Sequence, residues 1–382
     1  MDRRGKRDRG TRRQGDRGRY GFALFLLILC SLFLALSSFA SQSQASDVLP
    51  EKKANISAKA KLSFGYDNNV SERRENRTES RFYQFYVNSG MYMIPARRTL
   101  LSMKLQNGLK HLDASSLSGE SVLINGLNLN LSHRLSGRFM PEIQSEVRGR
   151  TSIHDDSGVP PSEEAFLRGF SGLALRTVLI SDVTARAFFR YKFTNFEDFD
   201  PFDRRGPQMG LRADVRLLPD STVSLQYSHA EMRYRKWSLL SIDEKTSRLD
   251  TVDDITFSAQ MYMYFLFDIT YSYQNNDSDA EGYSYRANRL NILLARNLPQ
   301  DIMFQLYALL RSIDYRSAST GAAATQVELD DDDRAVLTIK LSRDISEGCS
   351  LEIQADLRRS RSYSEDGLYT KGVFSSSLSF HF

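Results

Sequence analysis

The sequence predicts an all-β protein, a transmembrane antiparallel up-and-down β-barrel of about 16 strands preceded by a cleavable signal peptide. Three observations predict it. The amino-terminal segment is first basic and then apolar. The body alternates apolar and polar residues with a period of two. The connections between alternating stretches are long and short by turns.

The first twenty residues carry Arg3, Arg4, Lys6, Arg7, Arg9, Arg12, Arg13, Arg17 and Arg19, and an apolar run from Phe22 to Phe39 follows. Ser43-Gln44-Ala45 then offers a small-residue cleavage site, with Ser38-Phe39-Ala40 as a second candidate. A basic, an apolar and a small-residue region in this order make a secretory signal peptide over residues 1–45. The alternative is an uncleaved anchor, since the run approaches the length that spans a bilayer. Thr11-Arg12-Arg13 lacks the apolar residues of a twin-arginine signal, and Ile28-Leu29 before Cys30 do not fit lipid attachment.

The leader also carries the basic balance of the chain. It holds nine Lys/Arg and three Asp/Glu, so removing its +6 turns the chain's +4 into −2. The charge is thus no evidence for nucleic-acid binding. Cys349 alone remains in the mature chain, which excludes an internal disulfide and leaves no zinc-ligand spacing.

After a short periplasmic segment, residues 46–53, the barrel occupies 54–382, and no long apolar run interrupts it. Phe139, Pro141, Ile143, Ser145 and Val147 alternate with Met140, Glu142, Gln144, Glu146 and Arg148. Val183, Ala185, Ala187, Phe189 and Tyr191 alternate with Arg186, Arg190 and Lys192. Such two-faced segments are strands with one apolar and one polar side. A soluble sandwich would need a second sheet over the apolar side. A membrane barrel turns that side to lipid and the other to a wet lumen.

Connection lengths decide between the two. Strands are predicted near 54–66, 81–94, 99–109, 121–135, 138–151, 168–179, 183–196, 207–217, 222–234, 253–263, 266–275, 284–296, 301–315, 334–343, 349–359 and 369–382. The links 136–137, 180–182 and 218–221 are tight, whereas 110–120, 152–167, 235–252 and 316–333 are long. Sorting long loops to one side and tight turns to the other is the asymmetry of membrane barrels. Aromatic residues near strand ends (Tyr66, Phe82, Tyr83, Tyr92, Phe193, Phe196, Tyr234, Tyr271, Tyr273, Tyr285, Tyr315 and Tyr369) fit interfacial girdles.

The last strand places Phe374, Ser376, Leu378, Phe380 and Phe382 on one face, and an even count pairs it with the first strand. Its ending on Phe382, with Phe380, resembles the terminal-strand signal read by the barrel assembly machinery. The opening stretch Lys61-Leu62-Ser63-Phe64-Gly65-Tyr66-Asp67-Asn68-Asn69-Val70 resembles the first strand and turn of a broad family of Gram-negative outer-membrane β-barrel porins, whose functions are largely unassigned. The resemblance implies a barrel in the outer membrane, contacting its lipids and lipopolysaccharide. It implies no substrate.

Face assignment by alternation sends Arg138, Arg148, Arg150, Arg186, Arg190, Lys192, Arg212 and Arg216 to the lumen, with Lys59, Lys61, Lys104, Arg176, Arg311, Lys340 and Arg358. Against them stand Glu142, Glu146, Asp214, Glu352 and Asp356. The excess predicts a passive channel preferring small anionic solutes. The competing account is lateral pairing that merely braces the wall. The long loops read as acidic, with Asp198, Asp200, Asp203, Asp253-Asp254, Asp277, Asp279 and Asp330 to Asp333, in no calcium-loop spacing. Asp155, Asp156, Glu163 and Glu164 lie in the third long loop, where a constriction loop would fold inward.

Two other functions stay open at this point. One is a structural or export-associated barrel with a plugged lumen, serving secretion of a polysaccharide or surface component. The other is a rim hydrolase built on His154-Asp155-Asp156-Ser157. No G-x-S-x-G, H-E-x-x-H or P-loop pattern is present, so neither an enzyme nor a cofactor is expected. Nothing marks an oligomer face, and a homo-oligomer stays open.

Overall fold

A computed structural model of the protein describes residues 54–69, 77, 79–96, 98–113, 121–153, 165–196, 203–234, 248–280, 283–316, 333–361 and 368–382. The leader 1–45 and the segment 46–53 lie outside them. Sixteen strands follow in order. They are β1 Ala54–Asp67, β2 Ser80–Ala96, β3 Thr99–Asp113, β4 Ser121–His133, β5 Phe139–Ile153, β6 Phe166–Ile180, β7 Val183–Phe196 and β8 Arg204–Leu218. Then come β9 Ser221–Tyr234, β10 Leu249–Tyr262, β11 Leu266–Ser278, β12 Tyr285–Leu298, β13 Ile302–Tyr315, β14 Asp333–Ser346, β15 Cys349–Arg361 and β16 Leu368–His381. Each strand pairs with its sequence neighbours, and β16 closes the barrel on β1. The predicted strands correspond one to one, with ends differing by at most four residues.

Closure is antiparallel, from Lys59↔His381 to Asp67↔Val373. At its lower end Ala58 N donates to Phe382 O at 3.0 Å and Phe382 N donates to Ala58 O at 2.8 Å. A closed ladder leaves no sheet edge exposed, a requirement where water is absent to satisfy backbone groups.

Tight connections all fall at the end where β1 begins and β16 finishes. Positive φ occurs only there among the described residues, at Arg98, Gln300, Asp301 and Gly348. Register shifts at Met93/Ala96, Val178/Ile180, Arg216/Leu218 and Asp344/Ser346 gather at the same end. Bulges sharpen the local twist, which suits strands that must reverse within a few residues.

The outer face carries an apolar belt. Phe64, Ile143, Leu173, Phe189, Leu211, Leu225, Phe257, Leu310, Leu341, Ile353 and Phe374 are all exposed, with Leu173 at 61% and Leu211 at 64%. Burying such a belt in hydrocarbon removes its area from water at ~25 cal/mol per Å². This is a transmembrane barrel.

The girdle expectation needs correction for part of its set. Tyr66, Tyr83 and Tyr271 stand outward and exposed. Phe82, Tyr92, Phe196, Tyr234, Tyr285, Tyr315 and Tyr369 occupy the inward registers instead. Nearness to a strand end says nothing about face; the parity of the position does. Tyr285 and Tyr315 meet with ring centroids 5.6 Å apart, beside buried Ala287 and Ile313.

Inward glycines receive some of these rings. A Cβ on Gly65 would stand 2.2 Å from Phe82 Cζ, one on Gly108 2.1 Å from Tyr86 Cε1, and one on Gly210 2.4 Å from Phe188 Cζ. The ring therefore lies across the neighbouring strand where no side chain competes.

Candidate functional site: the inner wall

On β5 to β8 the inward positions are Glu142, Gln144, Glu146, Arg148 and Arg150; Arg168, Phe170 and Arg176; Arg186, Phe188, Arg190 and Lys192; and Arg204, Arg212, Asp214 and Arg216. Period-two alternation on adjacent strands with fixed register stacks these residues into one basic arc.

Glu142 anchors the arc from behind. Its side chain is nearly excluded from solvent, and it binds Arg176 Nη2 at 3.1 Å and Arg186 Nη2 at 2.8 Å. Gln144 Nε2 donates to Glu142 Oε2 at 3.0 Å, and Gln144 Oε1 accepts from Arg190 Nη2 at 3.0 Å. Arg190 also lies between the rings of Phe170 and Phe188, each centroid 4.5 Å away. Arg212 Nε meets Asp214 Oδ1 at 2.7 Å, and Arg212 Nη2 donates to Ser224 Oγ at 3.0 Å. Arg148 Nε meets Glu146 Oε1 at 2.7 Å. These carboxylates fix the orientation of the guanidinium groups, which face the lumen; Arg176 keeps 46% and Arg148 57% of its side chain exposed. Charge-assisted forks of this kind hold a planar donor in place without exhausting its five N–H groups.

The arc's neighbour on the β9 side is of opposite character. Inward positions of β10 and β11 carry Asp250, Asp254 and Asp268 among Thr256, Ser258, Gln260, Thr270, Ser272 and Gln274. On β14 to β16 and β1 the two signs mix: Glu352 binds Lys61 and, at 2.6 Å, Lys340. Between β1 and β5 the wall recesses into a cavity of about 680 Å³ with Lys59, Asn88, Lys104, Asn128, Glu146 and Arg148 on its surface.

At the long-loop end Arg248 is buried between Tyr234 and Tyr283, 4.1 Å from each ring centroid. Its Nε and Nη2 reach Asp250 Oδ1 and Oδ2 at 2.8 and 2.5 Å. Asn276 Nδ2 adds a bond to Asp250 Oδ2 at 3.2 Å. This clamp ties β9, β10 and β11 where the strands leave the belt.

Arg148, Arg150, Arg186, Arg190, Lys192, Arg212 and Arg216 thus share the inner face. Arg138 does not belong to the wall: it lies exposed in the tight turn before β5, its carbonyl accepting from Val178 N at 2.9 Å. Asp155, Asp156, Glu163, Glu164 and His154 lie outside the described residues. Phe380 holds an outward register on β16, opposite Ala60 and Cys349, and Phe382 follows the strand with 80% of its surface exposed.

Asp253 and Asp254 are not loop residues but lie within β10, Asp254 inward opposite Ser228 and Asp253 outward. Asp253 accepts from Tyr227 Oη at 2.7 Å and meets His229 Nδ1 at 3.0 Å. Lys110, Arg168, Arg204, Arg289, Arg334 and Lys371 also stand on inward registers and were not assigned there from sequence. Extending each alternation a turn beyond its first apolar residue finds Arg204 and Asp250. Among the described residues, no group of three His, Cys, Asp or Glu is placed to hold a metal ion.

No family model matches the chain, and no curated protein does. Among solved structures it is similar to Pseudomonas aeruginosa OprD, at 9% identity over 89% of this chain and 97% of that one, with a TM-score of 0.43. Acinetobacter baumannii OccAB3 is 7% identical over 86% and 100% of the two chains, with a TM-score of 0.45. A loop-deletion mutant of OmpT, an outer-membrane protein of Vibrio cholerae, is 8% identical over 86% and 99%, also at 0.45.

Proposed function

We propose that this protein is an outer-membrane channel for passive passage of small solutes, with a preference for anions. The barrel sits in the outer membrane with its tight turns to the periplasm and its long loops outside, the usual sense for such barrels. Residues 1–45 are removed on export, and intact-mass measurement of the membrane-extracted protein tests that cut. The β16 strand with Phe380 and Phe382 presents the assembly signal.

One observation carries the channel reading. The arc from β5 to β8 sets Arg176, Arg186, Arg190 and Arg212 side by side on the inner wall of a sixteen-stranded barrel, a size that encloses an aqueous lumen. Basic residues outnumber acidic ones on the inward registers, and basic rings favour anions through the sign of the potential. The acids beside them serve as orienting partners, so bracing and selectivity are two properties of one network.

Single-channel recording in a planar bilayer under a salt gradient tests this. Stable openings with a reversal potential on the anion side are expected. Cation selectivity would overturn the preference, and a correctly folded barrel without conductance would overturn the channel in favour of a plugged, export-associated barrel.

A further inference from the structure

Cross-strand register joins the arginines into a longer object. Arg176 on β6 faces Arg186 on β7, which faces Arg212 on β8. The same line continues through Gln226, Thr256 and Ser272. It then meets Arg289, Arg311 and Arg334 on β12 to β14 before ending on Ser360 and Tyr369. Every position on it faces inward, and from β6 to β16 none is a carboxylate. Acids stand only on adjacent lines, as Glu142 and Asp214 do.

Because barrel strands tilt and stagger, such a line climbs as it circles. Arg176 lies four residues from the tight-turn end of β6, and Arg311 four residues from the long-loop end of β13. The line therefore runs along the lumen as a helical track of hydrogen-bond donors, with neighbours ~4.8 Å apart, the spacing of adjacent strands. The residues at its middle are uncharged, with acids on the adjacent lines: Ser272 Oγ and Thr256 Oγ1 share a hydrogen bond of 2.9 Å, Thr256 Oγ1 donates to Asp254 Oδ1 at 2.8 Å, and Gln226 stands beside them.

We infer that this track binds a linear acidic oligosaccharide, a chain carrying carboxylates on successive sugars, as the channel's extended solute. The inference rests on the channel reading and narrows its substrate class. Two arginine triplets would take the carboxylates, and the Gln226, Thr256 and Ser272 stretch would take sugar hydroxyls. A chain that is all charge, such as polyphosphate, has no use for that neutral stretch. A single small anion has no use for the length.

The test is current block in a planar bilayer by a hexamer of galacturonic acid, compared with the monomer at equal total carboxylate. The hexamer should act at about a hundredfold lower carboxylate concentration, since linking the charges makes later contacts intramolecular. The double variant Arg289→Gln/Arg311→Gln should remove most of that advantage, whereas Arg343→Gln on the outer face should keep it. Equal potency of monomer and hexamer would overturn the track while leaving the channel standing. Equal block by a linear polyphosphate of the same charge would overturn the sugar chemistry. Thermophoresis of labelled hexamer with the detergent-solubilised barrel is run beside it. Binding without conductance would keep the track and end the channel, and absence of binding would end the track.

Discussion

Asp67 and Lys371 form an ion pair of 3.0 Å across the seam between the first strand and the last, both side chains almost wholly withdrawn from solvent. The residues after Asp67 complete the clasp. Asn68 Oδ1 accepts from Gly372 N at 2.7 Å, Asn69 Nδ2 donates to Thr370 O at 3.2 Å, and Asn69 N donates to Asp67 Oδ1 at 3.0 Å. The Gly65-Tyr66-Asp67-Asn68-Asn69 stretch thus has a local purpose, sealing the barrel where its two ends meet.

Replacing Asp67 by Ala leaves the Lys371 ammonium buried without that carboxylate, at a cost of about 3–5 kcal/mol. Urea unfolding followed by the heat-modifiable shift in gel mobility should show the loss. The pair replacement Asp67→Leu/Lys371→Met should regain most of it, because an apolar pair avoids the desolvation of both charges. Equal loss in the single and double variants would show that the pair is not the source.

Glu142 neutralises two arginines from behind, so Glu142→Gln should make the lumen more basic. The reversal potential should move further to the anion side. An unchanged potential would mean that Arg176 and Arg186 do not face the permeating ions.

The converse change is Arg186→Glu/Arg212→Glu, which places acids on the same line. Anion preference should fall or invert, measured in the same gradient. Retained preference would assign selectivity to the wall outside β7 and β8.

Gly108 has no room for a side chain beneath Tyr86, whose hydroxyl accepts from Gln84 Nε2 at 2.5 Å. Gly108→Val should destabilise the barrel by about 1–3 kcal/mol, as overpacking does. Adding Tyr86→Ala should relieve much of that in the same unfolding assay.

Arg248 combines a fork on Asp250 with stacking on two tyrosines. Arg248→Lys keeps the charge but loses the planar fork, so it should lower the thermal midpoint. A midpoint equal to that of the parent protein would show that charge alone suffices at that end.

The barrel was legible because its rule is simple: period two along each strand, and long and short connections by turns. The candidate site was legible in its chemistry and less so in its membership. Arg186, Arg190 and Arg212 sit amid clean alternation, with apolar residues on both sides. Asp253 and Asp254 read both as the start of the strand 253–263 and as part of an acidic loop, because paired acids resemble solvated turns, yet β10 runs four residues past them toward the long-loop end. Strands extend beyond the lipid, where the outward face turns polar and the apolar signal fades while the backbone ladder continues. Arg138 was misplaced for the opposite reason, the alternation being carried one residue into a turn. The helical track was not visible at all, since register between strands is set by turn lengths and bulges that no single strand encodes.

The glycine seats have a consequence for the bore. Phe82, Tyr86 and Phe188 point inward but spread over Gly65, Gly108 and Gly210, so each ring takes up thickness of wall instead of cross-section. Aperture in this barrel is therefore governed partly by side chains that are missing. A substitution at any of the three seats would tip its ring toward the axis and act as a partial stopper, narrowing the passage without altering a single charge.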